Sequence, residues 1–312
     1  MNVSSRTALV PADSVVTSVA HRRAAIINVI RSARREISMS LFRCNDVEIF
    51  GELRRATARG VKVNVLVTPR AKGGAKKRRK LWNALENTGV SLHMYAHPLV
   101  KYHAKYLVAD DGPAVISSFN FTLKCFERTC DAFVLTHDPE VVSGLRELMA
   151  ADRDGRPMPA NLTPRLIVGP ERSRRQLTTL IGQAQSSIRV IDPKLSDPGL
   201  VGLLDARRRA GLAVDVFDFK RLGAFKSHGK ILLIDDRIAV VGSLALASVS
   251  LDSRREVAII VQEPAAVAEV ARLFRGIELS RAQFAALPKC RSIDLPATAG
   301  RAVARDRQEA RW

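Results

Sequence analysis

Two hydrophobic periods alternate along the chain, and their order occurs twice. Residues 18–35 put Val19, Ile26, Ile30 and Ala33 on one side and a run of arginines on the other, the spacing of an amphipathic helix. A strand is predicted at Ile37 to Leu41, then a helix near Val47 to Arg59 that stops at Gly60, a residue suited to a left-handed cap. Val61 to Val67 reads Val, Lys, Val, Asn, Val, Leu, Val, which is strand alternation. The second half repeats this order: a helix from Arg172 to Gln185, a strand at Ile188 to Ile191, a helix over Gly199 to Arg209 before Gly211, and a strand at Leu212 to Phe217. A β-α-β order found twice predicts an α/β protein of two similar domains, each a mainly parallel central sheet flanked by helices.

A second repeat lies downstream of the first in each half. His103, Lys105, Asp110, Ser117 and Ser118 are matched, 125 residues later, by His228, Lys230, Asp235, Gly242 and Ser243. The same offset relates Asp131 to Glu256. Each motif is predicted to lie on strand, turn and return strand: Tyr102 to Ala109 with Ala114 to Ser117, and Ser227 to Ile234 with Ile238 to Val241. Asp131 to Thr136 and Glu256 to Val261 follow as buried strands, before helices that open at Asp138-Pro139 and Glu263-Pro264. Strand alternation sets His103 and Lys105 on one face. Gly60 and Gly211 differ by 151, so the first half carries 26 extra residues before its motif, around 70–96. They include Lys72, Lys76, Lys77, Arg78, Arg79 and Lys80, then Trp82 and Leu85. This segment reads as a solvated helix face or as an anion-guiding rim beside the site.

The division expected is a domain over 1–150, a linker over 151–165 with Gly155, Pro157, Pro159 and Pro164, a domain over 166–287 and a basic tail over 288–312. The formal charge of +19 is spread over both halves, which points to an anionic partner: nucleic acid, an anionic membrane surface or a phosphorylated substrate. Aromatic residues are only 5% of the chain, which disfavours a base-stacking platform. Cys44, Cys125, Cys130 and Cys290 have no metal-like spacing and read as reduced thiols of a cytoplasmic protein. No leader and no membrane span is expected, so contact with lipid would be peripheral. No metal and no cofactor is expected.

Two histidines in one pocket suit displacement at a phosphodiester. One can attack phosphorus while the other protonates the departing oxygen. Lys105 and Lys230 can neutralise the non-bridging oxygens, and Ser118, Asn120 and Ser243 can add hydrogen bonds to them. Asp131 and Glu256 are the candidate carboxylates that orient the two imidazoles.

The doubled pattern resembles the signature of the phospholipase D superfamily: His-x-Lys, four residues, Asp, six residues, then Gly-Ser or Gly-Gly and often Asn. The stretch Ser250-Leu251-Asp252-Ser253-Arg254-Arg255-Glu256 is similar to a run in bacterial phospholipase D and cardiolipin synthase relatives. The resemblance spans roughly residues 18–285 and departs at Ser117, where Gly is usual, and at Ala245, where Asn is frequent. It implies two phospholipase D-like domains related by a pseudo-twofold axis, and a monomer with one shared site. It also implies a covalent phosphohistidine, with His103 as nucleophile and His228 as general acid. Asp110 and Asp235 match the motif aspartates and complete the candidate catalytic set, with bracing of strand and turn as their expected part. Three activities fit: hydrolysis of a phospholipid, phosphatidyl transfer to an alcohol as in cardiolipin synthases, and cleavage of nucleic acid. A non-catalytic binding module is the fourth.

Overall fold

The structure, a computed structural model, describes residues 12–69, 74–218, 220–222 and 224–286. Its first half runs β1 (Asp13–Val16), α1 (Val19–Ser32), β2 (Glu36–Leu41), α2 (Val47–Ala58), β3 (Lys62–Val67), α3 (Gly74–Glu86) and β4 (Ser91–Met94). There follow β5 (Lys101–Tyr102), β6 (Tyr106–Ala109), β7 (Ala114–Ser117), α4 (Leu123–Glu127), β8 (Thr129–Cys130), β9 (Phe133–Thr136) and α5 (Pro139–Arg153). The second half opens with β10 (Leu166–Val168), α6 (Ser173–Gly182), β11 (Ser187–Ile191), α7 (Pro198–Arg209) and β12 (Ala213–Phe217). It continues through β13 (Arg221–Leu222), β14 (Phe225–Ser227), β15 (Ile231–Ile234), β16 (Ile238–Gly242), α8 (Ser248–Ser253), β17 (Arg254–Arg255), β18 (Val257–Val261) and α9 (Pro264–Ala286). Residues 154–165 carry no helix or strand, and the expected tail, Lys72 and Cys290 lie outside the described residues.

Local chemistry sets the boundaries. Asp46, Asp138 and Asp197 cap α2, α5 and α7, their carboxylates accepting from first-turn amides, and Pro139 and Pro198 open two of those helices. The chain leaves α2 and α7 through Gly60 and Gly211, both in the left-handed region at φ +82° and +95°.

Seven strands form one sheet in the order β1-β9-β7-β6-β2-β3-β4, and six form the other, β10-β18-β16-β15-β11-β12. The α/β class and the two similar halves are as expected; the mainly parallel pairing is not. Only β2-β3-β4 and β11-β12 are parallel neighbours, and the remaining pairs of both sheets are antiparallel. The motif strands cause the difference. Each is followed by a tight turn, and so short a connection can only return the chain antiparallel. Asp110 and Asp235 make those turns at φ 49° and 55°, a region that Asp tolerates better than most side chains. The 26 extra residues of the first half account for α3 and β4, one helix and one parallel strand added at the edge of the larger sheet beside β3.

Three apolar clusters form the core, one in each half and one shared between them. Helices α1 and α2 cover the outer face of the larger sheet through Ile26, Ile30, Ile49 and Leu53, and α6 and α7 cover the smaller through Leu177, Ile181, Leu200 and Leu204. The inner cluster is shared: Tyr106, Ile116 and Val134 of one sheet pack with Ile231, Val241 and Ile259 of the other, around Leu148 of α5 and Phe274 of α9. Two small pairings then exchange strands across the join. Tyr102 pairs with Arg255 and Lys101 with Arg254, while Ser227 pairs with Cys130 and Lys226 with Thr129. The offset of 125 converts the first pairing into the second with the halves exchanged, which is the mark of a pseudo-twofold axis between the motifs. No helix among the described residues is long and apolar enough to cross a membrane.

Asp110 and Asp235 stand at the far end of the motif strands. Asp110 accepts from the amides of Arg34, Arg35 and Glu36, each at 2.8 Å, and Asp235 from those of Gln185, Ser186 and Ser187 at 2.7–2.9 Å. Their contribution is therefore to tie the turn to the start of β2 or β11. Replacing either by Ala leaves three amides without that acceptor and should cost about 1–3 kcal/mol. Urea unfolding should show this loss for Asp235→Ala, while turnover of a soluble diester, assayed well below the transition, stays within a few-fold of the parent.

Candidate active site

His103 lies between β5 and β6, and His228 between β14 and β15, so each enters the site at the start of a motif strand. The strand exchange brings each one beside the other half. His103 donates its amide to the Arg255 carbonyl at 2.9 Å, and the Gly229 amide donates to the Cys130 carbonyl at 2.9 Å. Gly229 is needed there, because a Cβ would sit 2.9 Å from that carbonyl oxygen.

The orienting carboxylates are crossed between the halves. His103 Nδ1 is 3.0 Å from Glu256 Oε2, and His228 Nδ1 is 3.1 Å from both oxygens of Asp131. An ionised carboxylate only accepts, so each Nδ1 carries the proton and each Nε2 is left for chemistry. Both carboxylates are fully buried. Burial alone would raise their pKa values, but His103 and Lys105 at Glu256, and His228 and Lys230 at Asp131, hold both below the ordinary carboxylate range.

Serines brace the carboxylates. Ser118 Oγ donates to Asp131 Oδ1 at 2.7 Å and accepts the Ala132 amide at 3.1 Å. Ser250 Oγ donates to Glu256 Oε1 at 2.8 Å and accepts the Ala245 amide at 2.9 Å. Ser243, the repeat partner of Ser118, has its hydroxyl on the backbone of Val257, donating at 3.3 Å and accepting at 3.1 Å. The Ser118 and Ser243 hydroxyls, expected on substrate oxygens, are thus engaged within the protein, because the buried carboxylate and strand amides beside them need partners. Asn120 differs: its Oδ1 is buried and has no hydrogen-bond partner among the described residues.

Lys105 and Lys230 fold back on their own motifs. Lys105 Nζ donates to the His103 carbonyl at 2.5 Å and lies 3.1 Å from His103 Nδ1; Lys230 Nζ donates to the His228 carbonyl at 2.6 Å. Burial drives the Lys105 pKa well below its ordinary value, against the pull of Glu256. Burial also lowers His103, with Glu256 opposing and Lys105 adding to the fall. For His228 the pull of Asp131 is upward, but burial with Lys230 and Lys105 outweighs it and the pKa is lowered. A pocket of crowded cations and neutral imidazoles is short of negative charge, which is what an anionic phosphate brings.

The two imidazoles are not equivalent. The Phe42 ring packs edge-on against His103 with centroids 4.3 Å apart, and Lys105 Nζ lies 5.1 Å from the Phe42 centroid. His103 is 13% exposed and His228 30%. Near Lys230 the buried Asp192 accepts the amides of Leu246 at 2.6 Å and Lys194 at 2.8 Å. Phe42 and Asp192 were not legible as site residues, since each looks like the end of an ordinary strand.

Two buried arginines were also missed. Arg22 donates to the carbonyls of Cys125, Thr129 and Asp131, clamping the segment that carries Asp131. The signal was present, since Arg22 precedes Ile26 and Ile30 at intervals of four and so falls on the apolar stripe of its helix. Arg255 joins Asp152 of α5 at 2.9 Å to Glu171 at 2.6 and 2.8 Å, anchoring the strand that leads to Glu256. Cys44, Cys125 and Cys130 are buried free thiols. No cluster of three His, Cys, Asp or Glu among the described residues is arranged to hold a metal.

The crossed pairing can be read by nitrogen-15 NMR of the imidazoles. Glu256→Gln should disturb the Nδ1–H tautomer of His103 and leave His228 unchanged, and Asp131→Asn should do the reverse. A response of His228 to the Glu256 change would contradict the geometry.

Comparison with known proteins follows from this site and fold. Residues 26–153 and 203–277 match the family described as "Cardiolipin synthase, PLD-like domain". Polyphosphate kinase from Porphyromonas gingivalis superposes with a TM-score of 0.67 at 19% identity, over 88% of this chain and 47% of that one. This chain therefore spans about half the length of that kinase. Phosphatidylserine synthase from Haemophilus influenzae Rd KW20 superposes with a TM-score of 0.62 at 13% identity, over 87% of this chain and 86% of that one. No curated protein sequence matches the chain.

Proposed function

The chain belongs to the phospholipase D superfamily, and from that premise we propose that it displaces the headgroup of a phospholipid through a covalent phosphohistidine. The observation that carries the reading is the pair of crossed carboxylates, which leaves two Nε2 atoms, one from each half, for one phosphodiester. In the first step the His103 Nε2 lone pair forms a bond to phosphorus. The bond from phosphorus to the headgroup oxygen breaks, and that oxygen takes the Nε2 proton of His228. In the second step His228 takes a proton from water as its oxygen attacks, and the phosphorus–nitrogen bond to His103 breaks. Lys105, Lys230 and the Asn120 side chain are the groups assigned to the non-bridging oxygens.

Three features support giving the nucleophile to His103. It is the less exposed imidazole, it is held rigid against Phe42, and its lowered pKa keeps Nε2 unprotonated near neutral pH. His228 has more solvent beside it, as a residue that exchanges protons twice requires. Transfer to an alcohol instead of water is the second reading, favoured by the family description, and it needs no change in the first step.

Purified protein incubated in chelator with mixed phospholipids and with single-stranded DNA separates the activities by product mass. Phosphatidate, or a phosphatidyl alcohol when alcohol is added, is the expected product. Nucleotides released from DNA with no lipid product would replace this reading by a nuclease. Activity that vanishes in chelator and returns with added zinc or magnesium would overturn the lysine-based neutralisation.

The imidazole roles separate by leaving group. His103→Ala should abolish turnover of every diester. His228→Ala should cost about 10²–10⁴-fold on alkyl esters, the usual worth of a general acid, and less than tenfold on a nitrophenyl diester, whose leaving group departs unprotonated.

The pH dependence follows from the same assignment. His228 must start protonated and its pKa is lowered, so kcat/KM for alkyl esters is highest below that pKa and falls as pH rises through it. The midpoint should lie under the ordinary imidazole value of about 6.5, and the nitrophenyl ester should show no such fall.

A further inference from the structure

Large apolar side chains that are exposed to solvent concentrate at one end of the molecule, the end that carries the site. Strands β2, β3 and β4 run parallel and finish where β6 begins, since Ser40 near the end of β2 pairs with Tyr106. In the second half Ile191, the last residue of β11, pairs with Ile231, the first of β15. The described segments that leave those strand ends, and those that lead into the histidines, lie on this side. Met94 closes β4, Leu99 stands in the loop before β5, and Val47 and Leu123 open α2 and α4. In the second half Val201 lies in the first turn of α7, Phe225 opens β14 and Val249 lies in α8. Seven of the eight large exposed apolar side chains among the described residues are thus in segments that leave those strand ends, and the eighth, Leu279, lies in α9, which runs back towards the same end and packs Phe274 on Phe217 at the close of β12.

The placement is built. His97 Nδ1 accepts the amides of Leu99 at 3.2 Å and Val100 at 2.9 Å, and this turn presents Leu99 to water at 81% exposure. The Leu123 amide donates to Asn45 Oδ1 at 3.1 Å, which sets Leu123 close to Val47. Phe225, 38% exposed, stands one residue beyond the repeat position of Leu99, so each half carries an apolar projection ahead of its histidine. Exposed cations stand next to these residues: Lys101 by Leu99, Lys226 by Phe225, Lys124 by Leu123. None of the three makes an ion pair among the described residues, whereas Glu48, Glu127 and Asp252, three acids of the same end, are paired with Arg23 or Arg174, and Asp218 is exposed there. Arg78 and Arg79, on the added helix, share an open groove with Trp82 and Met94 at the same end.

We propose that this end is a docking face for an anionic lipid bilayer, which seats with Leu99 and Phe225 among its acyl chains and the Lys101 and Lys226 ammoniums on its headgroups. The inference rests on the phospholipid reading above and gives that site its partner surface. Apolar side chains ringed by cations match an interface that is oily just beneath a negative layer. A nucleic-acid strand would use the cations and leave the apolar side chains in water. Docked this way, the face turns both histidines toward the bilayer, so a diester needs to rise only slightly from its leaflet to reach them.

The test is co-sedimentation of the full chain with vesicles of phosphatidylglycerol and phosphatidylcholine in equal parts, against phosphatidylcholine alone. The parent should partition to the anionic vesicles, less so in high salt. The double variant Leu99→Ser, Phe225→Ser should lose at least tenfold of that partition, and Arg237→Ser, in the exposed turn at the far end of a motif strand, should lose none. Both should cleave the soluble diester bis(p-nitrophenyl) phosphate like the parent. A parent that ignores anionic vesicles, or a double variant that binds them undiminished, overturns the docking face even where the soluble diester is cleaved. Binding to a single-stranded oligonucleotide that outcompetes the vesicles, untouched by the double variant, makes it a nucleic-acid face instead. Vesicle binding lost in the double variant, with no cleavage of the soluble diester by any form, supports the docking face and removes the chemical reading.

Discussion

Each imidazole of the site is oriented by a carboxylate from the opposite half, and nearly everything else in the structure serves that exchange. Without its histidine each buried carboxylate, Glu256 or Asp131, would lose its one ring N–H donor and keep a serine hydroxyl as its side-chain hydrogen bond. Neither half can satisfy its own carboxylate by its own histidine. The exchanged strand pairs, the shared inner core and the long reach of Arg255 from β17 to α5 keep the two halves in the register that this crossing requires. The site is therefore a property of the join.

Within that frame the division of labour is steep. The serines nearest the carboxylates hold them, and the arginines that thread the core hold the backbone that carries them. The two lysines are left as the positive charge of the pocket, buried at the expense of their own solvation. Burial depresses Lys105 and, with the lysine charges, both imidazoles, for His228 against the upward pull of Asp131, so the site favours added negative charge. A phosphodiester supplies it. The same logic extends outward, to a mouth lined by cations and apolar side chains at one end of both sheets.

Much of this was legible in the chain. The offset of 125 located both histidines, both lysines and both carboxylates, and its mismatch with the offset of 151 located the added helix and edge strand. The crossing was not legible. Along the sequence Asp131 belongs with His103 and Glu256 with His228, and only the strand exchange reverses that. The β-α-β order reads correctly for β2-β3 and β11-β12, which are parallel, but it does not extend to the motif strands, whose short turns make their neighbours antiparallel. Arg22 was folded into a polar helix face although its spacing put it on the apolar one. For Ser118 and Ser243 residue type alone does not reveal that a buried carboxylate or a strand's backbone has first claim on the hydroxyl.

The most direct measurement is rapid acid quench of the parent enzyme with a labelled phospholipid, followed by peptide mapping at neutral to alkaline pH, where phosphohistidine survives. Label on the peptide that contains His103, at an amount that rises and decays in step with product, is the expected result. Label on the His228 peptide would reverse the two roles, and active enzyme that never carries label on either would contradict the covalent displacement itself.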